Sequence, residues 1–199
     1  MPEIEDVLCR YYDGEMAARA VRPLGEARET RLADFVDLCH REGLASVVEV
    51  GCGAARDGVV LQASGLAYRG LDLSTSAVEL CAGVGLDAVQ GSALALPFGD
   101  DEFDAGWTMS TLMHLPGEGM ATALSELGRV VRPAGVVEIG VWGGDESSEW
   151  TDEHGRYFRR RTDQELESLL SVIGEVADFA TWSHFDNGGH YQWARVVVR

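Results

Sequence analysis

The stretch Val47 to Gly58, VVEVGCGAARDG, constrains this chain more than any other, and Asp72, closing the apolar run Tyr68-Arg69-Gly70-Leu71-Asp72, adds to the constraint. Val47, Val48 and Val50 read as a strand buried in a parallel sheet. Gly51 and Gly53 permit a turn in which backbone comes close to a ligand, where a side chain would intrude. About 20 residues beyond such a turn, an open α/β sheet ends its next strand, and a carboxylate there accepts hydrogen bonds from two ribose hydroxyls. The pattern predicts a strand, tight turn and helix that bind a nucleotide-like ligand, with Asp72 as the ribose acid.

A dinucleotide-binding turn would also use two glycines and an acid. Its third glycine, in G-x-G-x-x-G, packs the helix against the turn and seats a pyrophosphate. Arg56 occupies that position here, and its bulk argues against a nicotinamide-dependent reductase. The order Glu49-Val50-Gly51-Cys52-Gly53-Ala54-Ala55 instead resembles the first motif, (D/E)-x-G-x-G-x-G, of class I S-adenosylmethionine-dependent methyltransferases. Ala55 stands for the last glycine; alanine is nearly as compact but takes a positive φ only with strain. Three further runs match the family in order: Gln90-Gly91-Ser92-Ala93, Leu96-Pro97-Phe98 through Asp101-Glu102-Phe103-Asp104, and Glu126 to Gly135, which is similar to the family's E..RVLRPGG. The resemblance covers roughly residues 45–199 and is weakest before residue 40.

Along the chain, residues 3–12 and 14–43 read as helical, the second on the spacing of Leu32, Phe35, Val36, Leu38 and Cys39, with Gly43 as a stop. Strands at 46–50, 67–71, 87–90, 103–108 and 135–141 alternate with helices at 54–64, 74–83 and 118–131, the alternation of a parallel sheet covered on both faces. Ser74 is an N-cap that ends the preceding strand at Asp72. Thr162 to Ile173 reads as a helix stopped by Gly174, and the runs 175–184 and 190–198 flank Asp186-Asn187-Gly188-Gly189 as a hairpin. The resemblance implies a Rossmann-like, doubly wound seven-stranded sheet of order 3-2-1-4-5-7-6 with strand 7 antiparallel. The expected organisation is one domain over 1–199, with a helical cap at 1–43 and a core at 44–199, in keeping with about 100 to 200 residues per domain.

The formal net charge of −17 opposes approach to a phosphate backbone, so nucleic acid is not an expected partner. All 16 cationic side chains are arginines, with Arg159, Arg160 and Arg161 in a run. Cys9, Cys39, Cys52 and Cys81 lack C-x-x-C spacing and read as free thiols, and His40, His114, His154, His184 and His190 make no zinc-type helical pair, so no metal is expected. The acidic start lacks the apolar run of a signal peptide, and no segment is long enough to span a bilayer. These features point to a cytoplasmic monomer or homodimer with no membrane partner.

The resemblance implies S-adenosylmethionine as cofactor, S-adenosylhomocysteine as product and a small-molecule methyl acceptor. It assigns Glu49 to the methionine end and Gly51, Gly53, Asp72, Leu73, Gly91, Ser92 and Ala93 to the cofactor. Ser92 stands where the family usually has an aspartate that accepts from the adenine amino group. Tyr11 or Tyr12 matches a cap tyrosine over the cofactor, with Tyr12 taken as the cofactor residue, and Trp107 is placed on the cofactor side of the cleft. Tyr11, Trp142, Tyr157 and Arg159 are the acceptor-side candidates, since aromatic rings wall pockets and an arginine meets an anionic substrate. His114 follows the fourth strand where the family's loop borders the methyl group, and imidazole, titrating near about 6.5, is the candidate general base. His184 and His190 flank the hairpin turn and read as exposed. A cofactor-binding or non-methylating protein on the same fold is the alternative, separated by product analysis with a labelled methyl donor.

Overall fold

The structure, a computed structural model, describes residues 2–183 and 189–199. Two helices, α1 (Pro2–Ala20) and α2 (Glu26–Glu42), precede β1 (Ser46–Val50), α3 (Arg56–Ala63), β2 (Ala67–Asp72), α4 (Thr75–Gly83), β3 (Ala88–Gln90) and β4 (Phe103–Met109). After a 3-10 turn at Leu112–His114 come α5 (Gly119–Val130), β5 (Val131–Gly143), β6 (Ser148–Thr151), β7 (Tyr157–Arg160), α6 (Asp163–Leu170), β8 (Gly174–Ser183) and β9 (His190–Val198). Seven strands form one sheet in the order β3-β2-β1-β4-β5-β9-β8. The first five are parallel, and β9 runs antiparallel to both β5 and β8. This is the seven-stranded order expected from the sequence, with β8 and β9 as its last two strands.

Period-two alternation decides which side chains face which layer. Val48, Val50, Val137, Ile139 and Val141 point to one face, against Met120, Leu124 and Leu127 of α5 and Leu166 and Leu170 of α6. Their sequence neighbours Val47 and Val136, with Ala105, Trp107 and Met109 of β4, point to the other, against Leu32, Phe35 and Leu38 of α2 and Leu61 of α3. Each such side chain contributes about 1.5 to 3 kcal/mol when fully buried, so a one-residue slip of β1 or β5 would forfeit both layers.

Four expectations are corrected. α1 does not stop near residue 12 but runs through Gly14 to Ala20, because Asp13 docks it on the start of α4: Oδ1 accepts from Ser74 Oγ at 2.6 Å and from the Ser76 N–H at 3.1 Å. The break falls instead between Ala20 and Glu26, where Pro23 cannot donate a helical hydrogen bond and Gly25 caps α2. Residues 148–160, between the expected strand at 135–141 and the helix from Thr162, where the sequence assigns no element, form the antiparallel β6–β7 hairpin, separate from the main sheet. Ala55 does take a positive φ, +63°, as the residue that starts α3. The Asp186-Asn187-Gly188 part of the expected turn and His184 lie outside the described residues. His190 is not an exposed loop residue: it opens β9, half-buried, and its Nε2 meets Asp163 Oδ1 at 2.9 Å.

All four cysteines are free, and Cys81 Sγ lies 3.6 Å from Cys52 Sγ beneath the glycine turn. Among the described residues, no helix is long and apolar enough to cross a membrane, and no group of three or more His, Cys, Asp or Glu side chains is placed to hold a metal ion.

Candidate active site

The carboxyl ends of β1, β2 and β4 open into a cleft roofed by α1. Its floor is the turn after β1. The N–H groups of Gly51 and Cys52 both donate to the Leu71 carbonyl, at 2.7 and 3.1 Å, so the turn is pinned to the end of β2. Gly51 has φ +83°, and a Cβ there would lie 2.0 Å from Thr111 Oγ1; neither the conformation nor the space admits a side chain. Gly53, at φ +47°, donates its N–H to Asp72 Oδ2 at 2.8 Å, and the Ser74 N–H donates to Asp72 Oδ1 at 2.9 Å. Burial pushes the Asp72 carboxyl above its usual range, while these backbone donors pull it back.

Glu49 sits on β1 under the cleft, 2% exposed, accepting from the Tyr68 hydroxyl at 2.6 Å through Oε2. Burial, reinforced by the negative charge of Asp57, holds its carboxyl well above the ordinary range, against the Tyr68 bond and Arg28. Asp57, in the first turn of α3, is 1% exposed and gathers three donors on Oδ2: Arg28 Nε at 2.9 Å, Arg28 Nη2 at 2.6 Å and the Trp107 indole N–H at 2.7 Å. Its Oδ1 is buried without a partner among the described residues. Arg56, the residue that replaces a third glycine, lines the cleft and clamps the α1–α2 connection, Nη1 donating to the carbonyls of Arg22 and Pro23 at 2.8 and 3.2 Å.

At the opposite end His114 is 4% exposed. A carbonyl can only accept, so the 2.9 Å contact of Nδ1 with the Tyr157 carbonyl places the ring proton on Nδ1. The Nε2 lone pair then accepts from the Tyr12 hydroxyl at 2.8 Å. Burial first, with the positive charges of Arg156 and Arg19, pulls the imidazole down to about 4 despite the Tyr157 bond. Arg156, held by Asp152 at 2.9 and 2.7 Å, lies 3.9 Å over the Tyr11 ring and couples the hairpin to α1. Ser110 and Thr111 close the end of β4, Ser110 at φ +58°, an uncommon conformation for serine that functional sites retain.

The cleft brings together Tyr12, Glu49, Gly51, Gly53, Asp72, Leu73, Gly91, Ala93 and His114. It does not bring in the rest. Ser92 bonds Glu5 of α1, and it is Glu5 that lines the cleft. Trp107 is completely buried, packed 5.0 Å from Phe35, and touches the cleft only through Asp57, because β4 turns it to the α2 face. Tyr11 lies outside, beneath Arg156. Trp142 stacks on Phe158 at 5.2 Å, Tyr157 donates its hydroxyl to Glu149 at 2.7 Å, and Arg159 faces Glu149 across the hairpin. Arg28, Asp57, Glu5 and Thr111 were not anticipated; Asp57 in the first turn of a helix was the one legible hint, since an acid there suits the helix dipole.

A parallel sheet ending in an antiparallel hairpin, with a glycine turn and a fixed acid at its carboxyl edge, defines a class I methyltransferase fold. A family model for the methyltransferase domain matches residues 48–139. A methyltransferase, GfsG, of Streptomyces halstedii is 28% identical over 133 residues, covering 60% of this chain and 46% of that protein. A tRNA (carboxymethyluridine(34)-5-O)-methyltransferase of Arabidopsis thaliana is 30% identical over 96 residues, 45% of this chain and 24% of that one. The chain thus spans half or less of the length of these curated relatives. The Burkholderia thailandensis 1,6-didemethyltoxoflavin-N1-methyltransferase, solved with 1,6-didemethyltoxoflavin and S-adenosylhomocysteine, superposes with a TM-score of 0.70 at 21% identity, covering 89% of this chain and 92% of that one. The chain thus shares the fold of class I S-adenosylmethionine-dependent methyltransferases, and over residues 48–139 it matches the methyltransferase domain.

Proposed function

We propose that this chain transfers a methyl group from S-adenosylmethionine to an oxygen or nitrogen of a small organic molecule. The observation that carries the reading is the carboxylate of Asp72, held by two backbone N–H groups beside a glycine that has no room for a Cβ. The cofactor fits the residues present. The Gly51 to Gly53 turn is a cradle that any side chain would fill, and Asp72 retains lone pairs for ribose hydroxyls. Glu49, whose Oε1 has no hydrogen bond among the described residues, and Asp57 suit the ammonium of the methionyl end. Glu5, which accepts from the Ser92 hydroxyl and lines the cleft, supplies a carboxylate acceptor for an adenine amino group where Ser92 offers only a hydroxyl.

When bound, the cofactor supplies an electrophilic methyl group on sulfur, whose in-line displacement requires alignment above all. The protein's part is therefore orientation and exclusion of water, with α1 roofing the cleft. His114 suits positioning better than proton removal: its lone pair is taken by Tyr12 and its basicity is low. Its role is to hold the Tyr12 hydroxyl, fixed in turn by the Tyr157 carbonyl, against the acceptor. His114→Ala should then raise KM more than it lowers kcat. The net charge of −17 favours a small acceptor over a nucleic acid.

Calorimetry with S-adenosylmethionine, S-adenosylhomocysteine and NAD, followed by a labelled-methyl screen of phenols, amines and carboxylates, tests the reading. Binding of the sulfonium and its product, with labelled product from an acceptor, supports it. Binding of NAD alone refutes it, and tight sulfonium binding with no transfer across the screen favours a non-methylating protein.

A further inference from the structure

Arg161, between β7 and α6, is 6% exposed, yet among the described residues its guanidinium makes no hydrogen bond and no ion pair. Its backbone is fixed: the carbonyl accepts from the Gly144 N–H at 3.3 Å and from Gln192 Nε2 at 3.0 Å. The side chain lines an open depression shared with Arg159, Gln164, Glu165 and Ser168. Gln164 and Ser168 are four residues apart on α6 and present an amide and a hydroxyl on the same side. The Glu165 carboxylate is engaged in the capping box of α6, accepting from the Thr162 N–H at 2.9 Å. Phe158, on the opposite side of β7 from Arg159, is buried against His114, and among the described residues none lines both this depression and the cleft. Glu165 and Glu118 offset the charge of Arg161 only from a distance, so a largely buried guanidinium keeps donors with no direct protein acceptor, the arrangement a bound anion would complete. Burial first, and then the charge of Arg159, lowers the proton affinity of Arg161, as expected of an unpaired cation.

We propose that Arg161, with Arg159 and the Ser168 hydroxyl, forms a second binding site, outside the cleft, for the carboxylate of a small-molecule ligand. Glu165 lines the same depression, Glu118 acts on Arg161 and Glu149 faces Arg159, so the surroundings of the two guanidinium groups disfavour a phosphate dianion relative to a singly charged carboxylate. The planar fork of Arg161 matches both oxygens of a carboxylate.

The test is calorimetric and thermal titration of the whole protein with benzoate and, separately, inorganic phosphate. Benzoate should bind more tightly than phosphate and raise the melting temperature. Arg161→Gln should weaken benzoate by about tenfold to a hundredfold, the worth of a charge-assisted hydrogen bond, leave S-adenosylhomocysteine affinity unchanged, and melt higher than wild type because the unpaired charge is gone. Ser168→Asp, which builds a carboxylate into the depression, should also raise the melting temperature and abolish the benzoate response. Equal benzoate affinity in wild type and Arg161→Gln, tighter phosphate than benzoate, or a destabilised Arg161→Gln protein with no anion response in wild type would overturn the proposal. Failure of S-adenosylhomocysteine to bind would count against the proposed function alone, since the benzoate titration does not depend on it.

Discussion

Asp57 is where a single substitution should reveal how the cleft is supported. In Asp57→Ala, Arg28 keeps a side chain only 25% exposed and loses its ion-pair partner, while the Trp107 indole N–H, in a residue with no exposure, loses its acceptor. Removing one member of a buried pair costs about 3 to 5 kcal/mol, and the partial exposure of Arg28 argues for the lower end. A stranded buried donor adds about 1 to 3 kcal/mol, though the two losses share one atom, Oδ2, and are not independent. The expected total is about 4 kcal/mol, a large part of the 5 to 15 kcal/mol of an ordinary domain. Arg28→Met alone should be of similar severity, because it leaves a carboxylate 1% exposed. The double variant Arg28→Met with Asp57→Leu should recover much of the loss, giving a coupling energy of about 2 kcal/mol or more. Urea denaturation followed by circular dichroism, with the slopes compared across the cycle, provides the numbers. An Asp57→Ala protein within about 1 kcal/mol of wild type, or single effects that simply add, would refute the view that this pair holds α2 to the turn.

Three further outcomes are expected. Asp72→Ala should weaken S-adenosylhomocysteine binding by about 2 to 4 kcal/mol with the fold retained, measured by calorimetry; an unchanged affinity removes Asp72 from the ribose site. His114 has a folded pKa depressed to about 4, so the unfolded chain takes up its proton first: the stability is fully present above about pH 6.5 and is lost as pH falls towards 4, by about 3 kcal/mol, and His114→Gln should flatten that part of a pH–denaturation profile. Ala55→Gly should stabilise the protein by up to about 1 kcal/mol, because φ +63° strains alanine by about 1 to 2 kcal/mol and the added chain freedom of glycine offsets part of the relief; destabilisation would contradict it.

The parts of the molecule that could be read from its sequence are those whose causes are local. Gly51, Gly53 and the N-cap Ser74, which accepts from the Ala77 N–H, lie within one strand-turn-helix-strand-helix run, and Thr162 with Glu165 spells a capping box in four residues. What stayed hidden depends on partners far apart in the chain. Arg28 and Asp57 are 29 residues apart, Asp57 and Trp107 are 50, and Tyr12 and His114 are 102. Trp107 was legible as a strand residue near the cleft, but the face it takes follows from the register of β4 against β1 and β5. The hairpin was missed because its four-residue strands lie in polar sequence. Its order comes from Phe158, which stacks between Trp142 and Trp150 at 5.2 Å from each, a contact that exists only after β5 is in place.

That division follows the chemistry of the cleft. The backbone contacts of the glycine turn and of Asp72 come from residues 51–74, with the Gly91 N–H added on the Asp72 carbonyl, all at strand ends whose spacing is fixed by the sheet. The opposite side is assembled from α1, the turn after β4 and the hairpin, joined by Tyr12, His114, the Tyr157 carbonyl and Arg156 over Tyr11. None of these groups belongs to the main sheet, so substitutions among them reshape that side of the cleft without shifting the register of any sheet strand. The recognition of a shared cofactor is thus written into the scaffold. On the proposed function, the choice of acceptor would rest on these few side-chain contacts, which can change while the scaffold stays fixed.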